Sequence, residues 1–339
     1  EKNEWLLLDN PFTGLDVKAR SLLEQILKDI LNKGVHILVV ISGHVPEFVT
    51  NVVVLNQGTV VGVYSREDSR PESWINKEDD ISINIPGFLS DNLPGNFDIV
   101  VRMQNVNVNY HGKEVLTGIN WTVRGGDRWC VSGANGSGKS TLLSLINGDN
   151  PQAFANDIIL FDRKRGSGET IWDIKKRIGY VSPELHQHFD KNSTCFNTIA
   201  SGLFDTIGLF RKLTSTHKQL VDECIDAFHL KGSESLPLRS MSFGMQRWVL
   251  LARAVIKNPP LLILDEPCQG LDEKHRDRFL ESIEMLCKQS ERTMVYVTHV
   301  EEEIPDCITH FLKLEKGKIK EIKENGKEHR GDSRRRHRA

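Results

Sequence analysis

Apolar residues along this chain fall into short continuous runs and into sets spaced three and four apart, the marks of buried strands and one-faced helices. The run Leu6-Leu7-Leu8 ends on Asp9, and a Pro turn leads to Gly14-Leu15-Asp16. Leu23, Ile26, Leu27, Ile30 and Leu31 then recur at the spacing of a single helix face. Gly34 is placed to close that helix, and the β-branched run Val35–Ser42 predicts a buried parallel strand. His44 follows, and residues 51–64 predict a hairpin turning at Asn56-Gln57-Gly58.

The same order returns near the other end. Leu262-Ile263-Leu264 ends on Asp265, Glu266 and Pro267 follow, and Gly270-Leu271-Asp272 comes next. Phe279, Leu280, Ile283, Leu286 and Cys287 form the helix face, Thr293–Val297 the strand, and His299 follows it. Residues 311–322 then turn at Lys316-Gly317. The histidine lies 28 residues beyond the Gly-Leu-Asp acid in the first copy and 27 in the second. Matched order and spacing predict a duplicated unit. The chemically loaded difference is Asn10, where the second copy carries Glu266.

Between the copies, residues 65–98 are rich in Pro, Asn, Asp, Ser and Gly and predict a linker. From Ile99 a further domain begins, with strands expected near 99–109 and 118–124, a strand ending at Val131, a loop, and a helix from about Lys139. The expected division is therefore residues 1–64, the linker 65–98, a domain over 99–326, and a polar tail over 327–339 that ends in an Arg-rich run and is expected to be disordered. The chain starts at Glu1 almost directly on a strand pattern, which gives the expectation that it is a fragment.

Composition narrows the function classes. A net charge of −2 gives no global pull toward nucleic acid, so a nucleic-acid partner is not expected. Six cysteines are scattered without a C-x-x-C pair, against a zinc site or a disulfide framework. No run of about 18 apolar residues is present, so a spanning helix is not expected either.

The chemistry concentrates in two motifs. Gly133-Ala134-Asn135-Gly136-Ser137-Gly138-Lys139-Ser140-Thr141 fits G-x-x-x-x-G-K-[ST] between an apolar strand and a helix. Its glycines let backbone N–H groups surround phosphate oxygens, with the helix dipole behind them. Lys139 is suited to the β- and γ-phosphates of ATP, and Ser140 to Mg²⁺. The apolar strand ending in Asp265 supplies a second Mg²⁺ group, and Glu266 is placed to polarise an attacking water.

At this point the chain resembles the ATP-binding cassette (ABC) ATPases, motif by motif over residues 99–322. The resemblance implies an α/β P-loop NTPase fold: a mixed sheet core with an antiparallel β subdomain and a helical subdomain. Ahead of it would stand the C-terminal remnant of a second cassette. Tyr110, 23 residues before Gly133, matches the aromatic that stacks on adenine. Met241-Ser242-Phe243-Gly244-Met245 loosely matches the family signature, in which Ser242 and Gly244 would act on the nucleotide of a facing cassette. Gly270-Leu271-Asp272 matches the loop between facing cassettes, and His299 the histidine that contacts the γ-phosphate. Where the family carries a glutamine after a segment like 178–182, this chain has Pro183; Glu184, His186 and His188 are the candidates to replace it. In the first copy Asp9, Asn10 and His44 match the Mg²⁺ aspartate, the catalytic glutamate and the histidine of a degenerate site.

The tandem layout, the short linker and the form of the signature are similar to tandem cassette proteins of the molybdenum-transport and photorepair type. That resemblance implies the ATP-binding component of a transport system. It would be cytoplasmic, or peripheral on the cytosolic face of a membrane, and partnered by a facing cassette and a membrane subunit. The competing reading is a soluble tandem cassette acting on a macromolecular complex in translation or DNA repair. Translation-type cassettes carry a long, charged helical linker and repair-type cassettes carry zinc-binding cysteine pairs, and this chain has neither.

Overall fold

The computed structural model describes residues 4–12, 15, 17–41, 45–56, 58–65, 95 and 97–325. Gly14, Asp16, His44, most of the 65–98 linker and the 327–339 tail lie outside the described residues. The chain divides into two compact units, Glu1–Ile81 with Gln269–Asp277, and Ser82–Cys268 with Arg278–Ala339.

The first unit holds β1 (Trp5–Asp9), α1 (Val17–Asn32), β2 (His36–Val40) and the hairpin β3 (Asn51–Asn56) and β4 (Thr59–Ser65). Strands β1 and β2 run parallel with Asp9 opposite Val40, and β3 pairs antiparallel with β4. The Gly34 amide donates to the Leu31 carbonyl at 2.9 Å, with Gly34 at φ 82, and so ends α1. The fully buried strands expected from the Leu and Val runs are not what forms. Burial alternates along both β1 and β2, and Leu7 is 70% exposed. The physical reason is the pleat: successive side chains point to opposite faces of this two-stranded sheet, and among the described residues one of those faces is left exposed.

The second unit opens with the long antiparallel pair β5 (Ile99–Tyr110) and β6 (Lys113–Arg124), then β7 (Arg128–Ser132) and α2 (Lys139–Ile146). Strand β6 begins at Lys113, five residues before the expected start near 118. The ladder runs through Thr117-Gly118 with register shifts, Gly118 standing at φ 61 with its amide bonded to Asn107 Oδ1. β8 (Asp157–Leu160) and β9 (Arg163–Lys164) complete a sheet of order β6-β5-β8-β9.

Next come α3 (Ile171–Lys175), β10 (Ile178–Val181), α4 (Pro183–His188), α5 (Cys195–Ser201), α6 (Ser215–Ala227) and α7 (Phe243–Val255). They are followed by β11 (Leu261–Asp265), α8 (Glu273–Gln289), β12 (Thr293–Val297), β13 (His310–Glu315) and β14 (Lys318–Glu324). The main sheet has the order β10-β11-β12-β7-β13-β14, parallel except for the final hairpin. Here β11 lies between two strands, and Leu261–Leu264 are buried. The apolar face of α8 is likewise buried at Phe279, Leu280, Ile283, Leu286 and Cys287. No helix among the described residues is long and apolar enough to cross a membrane.

Candidate functional site

The carboxyl ends of β7 and β11 set the site. After Ser132 the chain turns through Gly133–Gly138 into α2, with Gly136 at φ 76 and Gly138 at φ 105. A side chain at Gly138 would run into Leu116 and the Val115 carbonyl, so the loop lies tight against β6. The Ser137 carbonyl accepts from Gly317 N at 3.0 Å, and the Gly317 carbonyl accepts from Thr117 N at 2.9 Å. The hairpin turn at Lys316-Gly317 therefore pins the loop to the antiparallel sheet. Lys139 is 7% exposed, and its Nζ donates to the carbonyls of Gly133 at 2.7 Å and Ala134 at 3.3 Å. The loop thus holds a buried ammonium over its own backbone.

A cavity of about 790 Å³ opens beside it. Asn135, Gly136, Gly138, Lys139, Ser140, Thr141, Asp265 and Glu266 line it, so the two sequence motifs share one space. Gly133 and Ala134 are not among its lining residues but hold Lys139, and the Ser137 side chain is buried. Val115, Asn147, Asp149, Lys175 and Lys257 also line the cavity, although no motif marks them.

The acids are tuned apart. Burial, and then the charge of Glu266, push the Asp265 carboxyl up to about 6, against the pull of Lys139. Burial also pushes Glu266 up, but the hydrogen bond with His299 and the charges of His299, Lys139 and Arg247 outweigh it, holding this carboxyl below the ordinary glutamate value. His299 Nδ1 and Glu266 Oε1 lie 3.1 Å apart. Glu266 stands in the left-handed region at φ 43, with its amide bonded to the Val297 carbonyl at 2.9 Å.

Tyr110 ends β5, is 43% exposed, and accepts a hydrogen bond from Asn150 Nδ2 at 2.9 Å. It lies outside the cavity lining, as do Ser242, Gly244 and His299. Ser242 caps α7, accepting from Met245 N at 3.2 Å, and Gly244 sits in the first turn. Asp272 caps α8 by accepting from His275 N at 2.8 Å. In the first unit Asp9 ends β1, and Asn10 Nδ2 donates to Asp9 Oδ1 at 3.0 Å.

The three candidates around Pro183 separate. Ser182 caps α4 and Pro183 occupies its first turn, where a missing N–H costs nothing. Glu184 and His188 line the cavity, whereas His186 does not. Its Nε2 lies 2.6 Å from Gln246 Oε1 on α7, which removes His186 from the place expected of it. Gln246 and the buried Arg247 were legible only as the tail of the signature; no local signal marks either as a partner of residues 60 or more positions away in a separate motif.

Among the described residues no cluster of three or more His, Cys, Asp or Glu could hold a metal ion. Ser140 and Asp265, two oxygen donors on one cavity, suit Mg²⁺, which keeps waters and phosphate oxygens as its other ligands. None of the six cysteines, all among the described residues, is in a disulfide.

Comparison with known proteins agrees with this geometry. The family model described as ABC transporter matches residues 116–269. The chain is 38% identical over 320 residues to the ABC transporter ATP-binding protein ModF of Escherichia coli, covering 91% of this chain and 65% of that protein. It is 34% identical to the uncharacterized ABC transporter ATP-binding protein C323.04 of Schizosaccharomyces pombe, covering 94% of this chain and 66% of that one. The chain thus spans slightly less than two thirds of the length of these curated relatives. The uncharacterized ABC transporter ATP-binding protein YmeB of Lactococcus lactis is 33% identical, with 65% of this chain and 85% of that protein covered. In fold, the chain resembles cbiO1 of Clostridium perfringens, with a TM-score of 0.59 at 22% identity over 67% of this chain and 89% of that one. It also resembles the dimeric ATP-binding cassette MJ0796 bound to ADP and Pi, with a TM-score of 0.57 at 21% identity over 66% of this chain and 98% of that one. The phosphate-loop fold, the paired acids and these matches make one statement: the chain belongs to the ATP-binding cassette family and contains an ABC ATPase cassette.

Proposed function

We propose that residues 99–326 form one complete cassette that hydrolyses Mg·ATP, and that residues 1–64 are the C-terminal part of a first cassette whose site is degenerate at Asn10. The observation that carries this reading is the shared cavity, lined by Lys139, Asp265 and Glu266, with His299 bonded to Glu266 from behind the lining. The backbone of 133–141 and Lys139 bind the phosphates, and Tyr110 offers its ring to adenine. Ser140 and Asp265 would hold Mg²⁺, which would supply positive charge toward the phosphate oxygens. Glu266, ionised at neutral pH, accepts a hydrogen bond from the attacking water and orients it. His299 keeps the Glu266 carboxylate in place and faces the γ-phosphate.

Ser242 and Gly244 serve the nucleotide of a facing cassette, supplied by the first half of the whole protein or by a second copy. The dimeric state of the MJ0796 cassette supports that arrangement. The ABC transporter names of the relatives support a role as the ATP-binding component of a transport system, cytosolic and peripheral to a membrane subunit, with molybdate as the cargo the tandem resemblance points to. The expected behaviour is ATP hydrolysis that stops when Mg²⁺ is chelated, with a specific activity that rises steeply with protein concentration. Specific activity independent of concentration would sink the facing-cassette reading.

A further inference from the structure

Two neighbouring residues near the start of α7 reach toward different parts of the site. Arg247 is 1% exposed, its guanidinium lies 5.3 Å from the Phe243 ring centroid, and its charge is felt by Asp265 and Glu266. Gln246 reaches α4, the short helix whose Pro183, Glu184, Leu185 and His188 form part of the cavity wall.

The α4 connection is continuous and has a fixed direction. Gln246 Nε2 donates to the Met241 carbonyl at 3.0 Å, which leaves Oε1 as the acceptor toward His186. His186 must then present Nε2–H across the 2.6 Å contact. The imidazole is 6% exposed and packs 4.8 Å from the Phe243 ring, between centroids, and burial holds it below its ordinary pKa, in the neutral form this pattern needs. At the far end, the Gln246 backbone N–H donates to the Ser242 carbonyl at 3.0 Å, as the first bond of α7. The chain of contacts therefore runs from the cavity wall through His186 and Gln246 to Met241 and Ser242, the residues at the mouth of α7.

We propose that His186 and Gln246 are positioning residues that tie the wall of the nucleotide cavity to the signature serine Ser242. The link leaves from the same short helix as Pro183, which has no amide side chain to offer. A shift of α4 on nucleotide binding moves the donor to Gln246, and Gln246 carries that shift to the backbone on both sides of Ser242. The proposal rests on the reading of Ser242 as the group presented to a facing cassette.

The test uses the full chain. His186→Phe keeps a ring against Phe243 but removes the donor, and His186→Gln keeps a donor. His186→Phe is expected to lower kcat for ATP about five- to tenfold, the worth of one hydrogen bond, with KM and the affinity for a fluorescent ATP analogue unchanged. His186→Gln is expected to recover most of that loss. Gln246→Leu is expected to repeat it, and the double variant to be no slower than either single one. Parent-level turnover in His186→Phe, or losses that multiply in the double variant, would overturn the proposal. Should His186→Phe fail to fold, Gln246→Leu decides by the same split of kcat from KM. Glu266→Gln is assayed beside them. Turnover that survives it removes the site itself, whereas its loss together with unaffected His186 variants removes only the link.

Discussion

Asn10 and Glu266 occupy the same backbone in different company. Each follows an aspartate at a strand end, and each donates its amide to the last residue of the neighbouring parallel strand, Val40 at 2.8 Å and Val297 at 2.9 Å. Each stands in the left-handed region, at φ 46 and φ 43. That conformation costs an ordinary L-residue about 1–2 kcal/mol and is one that asparagine visits readily. The first copy thus carries a residue the backbone prefers. The second carries one the backbone resists, and this side chain is bonded to His299 within reach of the charges of Lys139 and Arg247. The strained residue is the one whose carboxylate faces the cavity, the usual exchange of local stability for chemistry.

The sharpest way to break this comparison is to copy one site into the other. Glu266→Asn is expected to lower ATP turnover by about 10²–10⁴-fold while ATP binding persists, measured by steady-state hydrolysis beside equilibrium binding. Turnover within threefold of the parent would erase the distinction between the copies. The next effect concerns affinity. Lys139→Ala is expected to weaken ATP binding about tenfold to a hundredfold, the worth of charge-assisted hydrogen bonds to phosphate. Binding at parent strength would overturn the assignment of Lys139 to the phosphates.

A smaller effect runs in the opposite direction. Asn10→Glu is expected to destabilise the first unit by about 1 kcal/mol, seen as a lower denaturation midpoint, because it places glutamate where asparagine relieves the backbone. An unchanged midpoint would show that the left-handed turn carries no cost there.

The smallest effect is in pH. Burial, followed by the charges of Arg247 and Lys191, depresses the pKa of His186 against the Gln246 hydrogen bond that raises it. The unfolded chain therefore binds the proton more tightly, so the His186 contribution is complete above about pH 6.5 and is lost as pH falls below it. Thermal melts of His186→Phe should show a shallower loss of stability between pH 6.5 and 5 than the parent. Parallel curves would count against a buried neutral imidazole.

What the sequence made legible was whatever a short motif encodes in full. Lys139 and Asp265 could be placed because loop, strand and helix lie within a few residues of each. The repeated text announced a duplicated unit, but the left-handed backbone shared by Asn10 and Glu266 was visible only in the structure. Features that depend on distant partners were not legible. Leu7 and Ile263 sit in nearly identical runs, yet one is 70% exposed and the other fully buried in the main core, which long-range packing decides. The choice among Glu184, His186 and His188 required knowing which face of α4 meets α7, and nothing near Pro183 announces Gln246. The early start of β6 at Lys113 was not legible either, because register shifts in a long ladder depend on where its partner slips.

The turn at Lys316-Gly317 has a consequence in time. A side chain at Gly317 would strike the Val115 carbonyl, and one at Gly133 would strike the Leu314 carbonyl, so the loop and its backstop are fitted to each other. Yet Gly133 and Gly317 are separated by most of the second unit. At the usual pace of synthesis the backstop leaves the ribosome on the order of 10–40 s after the loop. Until then the phosphate-binding segment has its sequence but not its support. A nascent chain of this protein therefore makes its phosphate-binding segment well before the turn that braces it.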